Sequence, residues 1–331
     1  MSKRIFLWAA KALLSGVIAV AVLTSICMLY YNVPVHYDTV DGATDYRWEK
    51  NKFYSRGTEG FAWGKTNNEG YLNAIDYTES TQVDVLVMGS SHMEAYNVLQ
   101  EQSTASVLGS LMPDKTVYNI GTSGHTFLVC ADNLADAVNK YEPKEYVIIE
   151  TAKLGFSDIQ LQSAIDGNVP DNKSATGGIV ELLQKNPFFR LTYSQLKNFS
   201  ENAEEDVAPA TPSENTIGSE ETYSALFARL NDIVSEKGAQ LIIVYHPYLI
   251  LNKDGTATTN SDKEECELFA AGCEKNGIIF LDMSNRFLEN YENESILPHG
   301  FTNTSIGSGH LNKNGHKMIA ESLYEIMKEA K

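Results

Sequence analysis

The chain is 331 residues long, 43% hydrophobic and 10% aromatic. That is enough apolar side chain for a real core, and it excludes a wholly disordered chain, a collagen and a small cysteine-stapled domain. Lysine plus arginine number 26 against 43 aspartate plus glutamate, a formal net charge of −17; with no basic stripe to neutralise phosphates, nucleic acid is not a partner, and the acidic balance reads as a solvated surface.

The first element is the most distinctive. Lys3 and Arg4 precede an apolar run, and from Ala12 to Tyr31 no charged residue occurs. Twenty helical residues rise about 30 Å, the thickness of a hydrocarbon core. Tyr30 and Tyr31 suit the membrane interface, and the basic N-terminus belongs on the cytoplasmic side. The expectation is an uncleaved single-pass anchor over residues 1–31, with the body of the protein outside the cytoplasm. A cleaved signal peptide is the rival reading, but its apolar region is normally shorter and no A-x-A site stands here. Cys27 does not make a lipoprotein site, because bulky Ile26 precedes it.

Residues 32–80 are polar and aromatic, with Trp48, Phe53, Tyr54, Phe61, Trp63 and Tyr71. They read as a loop-rich lead-in that packs on the surface of a domain spanning 81–331.

In that domain strands alternate with helices. Apolar, β-branched runs predict strands at Val83–Met88, Thr116–Ile120, Glu145–Glu150, Gln240–His246 and Gly277–Asp282. Helical spacing follows the first strand to about Leu111, then covers Leu128–Tyr141, Glu221–Lys237, Asp262–Lys275 and Lys313–Glu329. Such alternation implies a parallel five-stranded sheet with right-handed crossovers, a three-layer α/β/α doubly wound (flavodoxin-like) domain. Ligands then bind at the carboxyl ends of the strands. The interval 154–220 reads as an insertion whose second half, acidic and rich in Pro, Ser and Thr, is a loop.

The four cysteines are Cys27, Cys130, Cys266 and Cys273, with no CxxC pair, so neither a zinc ribbon nor a thioredoxin site is expected. Cys266 and Cys273 share a helix with Cα atoms about 10 Å apart, too far for a disulfide.

Three short motifs carry chemistry. Strand one ends in Gly89-Ser90-Ser91-His92, which puts a serine at the sheet's carboxyl edge beside a helix N-terminus. This is not the G-x-S-x-G elbow, since Met93 replaces the second glycine. Strand two ends in Asn119-Ile120-Gly121-Thr122-Ser123-Gly124-His125-Thr126, where two glycines permit a tight turn. Near the C-terminus Gly309-His310-Leu311-Asn312-Lys313-Asn314-Gly315-His316 precedes the last helix, so that His310 can return to the serine after strand one and act as its base. His316, at the helix start, reads as structural.

In this order and at these positions the motifs resemble those of the SGNH (GDSL-type) hydrolase family, over roughly residues 80–331. The resemblance implies Ser91 as nucleophile, Ser90 where aspartate is common, the Ser91 and Gly124 N–H groups as the oxyanion hole, and His310 as base. Asn68-Glu69-Gly70-Tyr71 looks like a short element found before the catalytic strand in some extracellular members. The anchor is similar to that of bacterial members working on cell-envelope polymers, including DltD-like and alginate-acetylation proteins. Two family features are missing. Gly307 stands where an aspartate usually precedes the histidine by three, and Glu150-Thr151-Ala152-Lys153-Leu154-Gly155 carries no Gly-x-Asn-Asp turn. His310 is then oriented by a backbone carbonyl, or by a carboxylate from elsewhere, such as Glu150 or Asp282 at strand ends.

The resemblance therefore implies a serine esterase or O-acyltransferase on acyl esters, acetyl above all, of cell-envelope carbohydrate, with a membrane-bound O-acyltransferase as candidate partner. The alternative is a non-catalytic relative that binds glycan or assists such an acyltransferase. Ser90, His92, His125, Glu150, Thr151, His246 and Asn312 are candidate site-lining residues, His92 doubling as a helix cap. No cofactor is implied, and without HxH or HExxH spacing no metal site is expected.

Overall fold

In the computed structural model the described residues are 2–40, 43–169, 183, 185–204 and 217–329. The acidic stretch 205–216 of the expected insertion lies outside them.

The central sheet has five parallel strands, β1 (Val85–Met88), β2 (Val117–Asn119), β3 (Tyr146–Thr151), β4 (Gln240–Tyr245) and β5 (Ile279–Asp282), in the order β5-β4-β3-β1-β2. Registers such as Val85↔Tyr146 and Ile148↔Ile242 hold the middle of the sheet together. Side chains alternate between two apolar layers, because successive strand residues point to opposite faces. Leu86, Val147, Ile149, Leu241 and Ile243 enter one core; Val85, Val87, Ile148, Ile242 and Val244 enter the other. Burial on both faces explains why these strands read as unbroken apolar runs. The chain is thus a three-layer α/β/α doubly wound domain, and its direction reverses between β1 and β3, where such sheets bind ligands.

The helices are α1 (Ser2–Tyr30), α2 (Ser91–Glu94), α3 (Thr104–Leu111), α4 (Phe127–Tyr141), α5 (Asp158–Ile165), α6 (Pro187–Glu204), α7 (Glu220–Ser235), α8 (Lys263–Lys275), α9 (Ser284–Glu294) and α10 (Lys313–Glu329). The stretch after β1 is not one helix. Ala95 takes a left-handed conformation (φ 61°) that stops α2 after one turn, and α3 restarts on the Ser103 cap. Within the interval 154–220, helix α5 packs into the domain. It starts on a Ser157/Gln160 capping box and buries Leu161 and Ala164 in the core. Helix α9, which sequence spacing did not suggest, buries Phe287.

Residues 3–30 form one helix long and apolar enough to cross a membrane, with mean hydropathy 2.4 over its best window. Helix α6 packs along it, with Asn186 and Thr24 side chains joined at 3.1 Å.

The lead-in is more ordered than a run of loops. Tyr31–Asn32, Phe53–Arg56 and Ala62–Lys65 make a small antiparallel sheet, and Val35–Val40 pairs with Ala43–Trp48. Its own core, Val33, Tyr54 and Leu72, closes on Tyr96 just beyond α2. Trp48 stacks on Tyr96 at 5.0 Å, and Tyr96 Oη donates to Asn32 O at 3.1 Å. The lead-in is thereby fastened over the carboxyl end of β1. Asn67 Oδ1 accepts the Glu69 and Tyr71 amides, and Glu69 reaches Tyr141 Oη at 2.7 Å and Lys140 at 2.6 Å. All four cysteines are free thiols.

Candidate active site

Ser91 is the first residue of α2, directly after β1, and Ser90 is its cap: Ser90 Oγ accepts the His92 N–H at 3.2 Å. His310 lies on Ile306–Leu311, a strand paired with His299–Gly300, just before α10. The fold brings these distant residues together, with His310 Nε2 2.9 Å from Ser91 Oγ.

The group on the other side of His310 was not anticipated. Glu59, from the lead-in, accepts the His310 backbone N–H at 2.9 Å with Oε1 and meets His310 Nδ1 at 2.7 Å with Oε2. A carboxylate only accepts, so Nδ1 carries the proton and Nε2 offers its lone pair to the Ser91 hydroxyl. Burial raises the Glu59 pKa, but the His310 ring and backbone hydrogen bonds and the charges of His310 and Arg56 outweigh it and hold the carboxyl at about 2. Asn303 Nδ2 donates to Gly57 O and Gly60 O at 2.9 Å, its Oδ1 accepts the Gly60 N–H, and Asn97 holds Glu59 O at 3.2 Å. Gly309 (φ 89°) admits Glu59: a Cβ there would lie 2.5 Å from Glu59 Oε1.

Neither Glu150 nor Asp282 orients His310, and among the described residues no backbone carbonyl does; its Nδ1 meets Glu59. Glu150 Oε1 is 2.6 Å from His246 Nε2, and its Oε2 accepts Ser90 N–H at 2.8 Å and Ser90 Oγ–H at 2.9 Å. Burial pushes the Glu150 carboxyl up, but His246, His92 and the Ser90 N–H pull it well below the usual range. Asp282 is spent on Ser284, whose N–H it accepts at 2.8 Å. Gly307, three residues before His310, carries no carboxylate, and Glu59 approaches the ring from another segment.

His92 does not cap α2. Its buried ring lies under the site, with Nδ1 accepting the Leu311 N–H at 3.2 Å and Nε2 3.4 Å from Tyr248 Oη. His246 is buried beside it, ring centroids 4.6 Å apart. Burial, then the charge of His246, lowers the His92 pKa to about 3. His316 binds Thr104 Oγ1 at 2.9 Å and is lowered to about 3 by burial. Asn312 does not line the site: its Oδ1 accepts the Asn314 and Gly315 amides at the start of α10. Thr151 is also turned to its own chain, donating to Lys153 O at 2.5 Å.

Gly124 (φ 87°) sits third in the turn closed by His125 N–H to Thr122 O at 3.1 Å. The preceding Ser123 hydroxyl donates to Glu94 of α2, whose other oxygen takes Trp48 Nε1–H. The Ser91 and Gly124 N–H groups bond no acceptor among the described residues. His125, Thr122 and Gly89 line a cavity of about 350 Å³ that extends to Lys140 and Tyr141.

No family model and no curated protein matches the chain. Solved structures do. The chain is similar to an α/β hydrolase enzyme from the metagenome of Lake Arreo, Spain, at 15% identity and TM-score 0.42, over 74% of this chain and 94% of that one. It is similar to a candidate SGNH hydrolase from Slackia heliotrinireducens at 16% identity and TM-score 0.41, over 75% and 100%. A two-domain esterase active on acetylated mannans matches at 12% identity and TM-score 0.41, over 75% of this chain and 49% of that one.

Proposed function

We propose that the protein is a serine esterase or O-acyltransferase. The observation that carries this reading is the hydrogen-bonded line Glu59–His310–Ser91, with contacts of 2.7 and 2.9 Å.

Each group in that line has a task. Ser91 Oγ attacks an ester carbonyl while His310 Nε2 takes its proton, forming the Oγ–acyl bond. Glu59 keeps His310 in the right tautomer and stabilises the imidazolium as it forms. The Ser91 and Gly124 N–H groups, which bond no acceptor among the described residues, are the donors assigned to the developing oxyanion in this reading, each such donor contributing about 3 kcal/mol. His310 returns the proton to the leaving alcohol. Water then attacks the acyl-enzyme and releases the acid. A sugar hydroxyl in its place yields an O-acylated carbohydrate.

The finer assignment follows the anchor. An apolar helix at the N-terminus behind Lys3 and Arg4 supports a single-pass membrane protein with its catalytic domain outside the cytoplasm. Acetyl esters of envelope carbohydrate are the substrate class that suits this location, as in the DltD-like and alginate-acetylation proteins, and a membrane-bound acyltransferase is the fitting partner. The missing aspartate was the ground for a non-catalytic role, and the Glu59 carboxylate at His310 Nδ1 supports the catalytic reading instead.

The test is aryl-acetate hydrolysis with fluorophosphonate labelling. Wild-type protein turns over the ester and labels at Ser91; Ser91→Ala does neither. Hydrolysis retained in full by Ser91→Ala would remove Ser91 from the mechanism.

A further inference from the structure

Three histidines with no shared sequence spacing meet beneath the nucleophile. His92 follows Ser91, His246 follows β4, and His299 opens the strand pair that carries His310. Their relative exposures are 8%, 0% and 1%, so the space between them is closed to bulk water. One ring nitrogen from each lies within 4.8 Å of the others.

The geometry points to a binding site for one divalent transition-metal ion of the zinc class, held by His92, His246 and His299. His246 Nδ1 and His299 Nε2 are 3.3 Å apart. Two imidazole nitrogens at zinc bond lengths of about 2.0–2.1 Å on a tetrahedron are separated by about 3.3 Å. The other nitrogen of His246 meets Glu150 at 2.6 Å, which is how a carboxylate fixes the tautomer of a ligating histidine and turns its lone pair toward the ion. Tyr248 Oη, 3.4 Å from His92 Nε2, faces the fourth position, open to it or to a water.

The competing arrangement needs no ion. His299 Nε2–H can donate to His246 Nδ1, and His246 Nε2–H to Glu150. That leaves one weak point: the 3.3 Å contact is long for a hydrogen bond. His299 Nδ1 is buried with no hydrogen-bond partner among the described residues in either arrangement, as an acceptor without the ion and as a donor with it, so it does not separate the two. Loading has its own cost. With the Leu311 N–H on Nδ1, His92 keeps its proton on Nε2. An ion at Nε2 moves that proton to Nδ1, against the Leu311 N–H, so that contact must open. Leu311 follows His310, and ion uptake is therefore felt at the proposed base. The ion would tie the nucleophile's helix, the end of β4 and the strand bearing His310 into one unit, and the site does not depend on the acyl chemistry proposed above.

The experiment uses the full chain purified in detergent. Metal content is measured by plasma mass spectrometry as isolated, and again after chelator treatment and titration with Zn²⁺ or Co²⁺. We expect about one equivalent per chain, visible tetrahedral Co²⁺ absorption, and a Zn²⁺-dependent rise in melting temperature that His299→Gln and His246→Gln abolish. Ser91→Ala should bind the ion like wild type, so a failure of the catalytic reading leaves this result untouched. Wild-type protein that gives neither Co²⁺ absorption nor a thermal shift overturns the site, and so does a shift that survives His299→Gln. If the glutamine variants do not fold, the Co²⁺ spectrum of the wild type decides alone.

Discussion

Glu59 grips His310 with both carboxylate oxygens, one on the backbone N–H at 2.9 Å and one on ring Nδ1 at 2.7 Å. The two residues are 251 positions apart. The double contact fixes the ring's height and its tilt, so the lone pair on Nε2 has one place to point, and Ser91 Oγ is there at 2.9 Å.

Replacing Glu59 by Gln removes the acceptor that selects the tautomer. The amide can donate to Nδ1, which moves the proton to Nε2 and leaves the Ser91 hydroxyl without a base. The comparable change in a serine protease costs about 10⁴ in rate. Glu59→Gln should lower kcat for aryl-acetate hydrolysis by about 10³–10⁴ with little change in KM. Activity within a few-fold of wild type would show that Glu59 does not orient the base.

Asn303 acts on the same pair at one remove. Its amide closes the Gly57–Gly60 loop through three hydrogen bonds of 2.9 Å. At about 1 kcal/mol net each, Asn303→Ala should cost about 3 kcal/mol at most. Circular dichroism melting should show a fall of several degrees, and kcat should fall with KM held. A lower melting temperature with unchanged kcat would mean that Glu59 keeps its place without the clamp.

What could be read from the amino-acid order divides along physical lines. The strands of the sheet are buried on both faces, so VLVM and IIVY declare themselves by composition alone. Ser91 was legible because it follows a strand in a sheet whose ligand edge is fixed by topology, and His310 because its motif directly precedes the last helix, although it lies in a strand outside the central sheet. Glu59 was not. It lies in a short turn after Phe53–Arg56, and nothing local distinguishes Thr58-Glu59-Gly60 from a solvated turn. The available signal was indirect: a histidine motif with Gly307 in the acid's usual position needs a carboxylate from elsewhere, and a lead-in rich in Trp and Tyr has to dock somewhere. The convergence of His92, His246 and His299 was invisible for a different reason. They sit on three separate elements, helix α2, the end of β4 and the strand His299–Gly300, and only the assembled fold sets their separations.

Acidity should act on stability through Glu59. A free glutamate titrates near 4.3, and here the carboxyl is held at about 2. A carboxyl depressed in the folded state stabilises the fold above its unfolded pKa, and that contribution drains away as pH falls toward the folded value. Wild-type protein should therefore lose more stability than Glu59→Gln between about pH 4.3 and 2, as followed by urea unfolding at stepped pH. Parallel curves for the two proteins would deny the ion pair its role. Because Glu59 stays ionised to about pH 2, its titration cannot produce an acid limb of activity at higher pH.

Glu94 tests the other half of the site. It is buried in α2, three residues past Ser91, and its carboxyl pKa is raised by burial against the hydrogen bonds of Ser123 and Trp48. One oxygen takes the Trp48 indole N–H and the other the Ser123 hydroxyl, so it ties both the lead-in and the Gly124 turn to the helix that begins at Ser91. Glu94→Ala strands the partly buried indole donor, a loss of about 1–3 kcal/mol, and frees the turn. If the Gly124 N–H belongs to the oxyanion hole, its loosening draws on a donor worth about 3 kcal/mol, up to about 100-fold in kcat. Glu94→Gln keeps one acceptor and turns an NH₂ group toward the other donor, so it should fall between wild type and alanine in kcat and in melting temperature. A fall in melting temperature with kcat intact in both variants would make the tie purely structural and would remove the Gly124 turn from transition-state stabilisation.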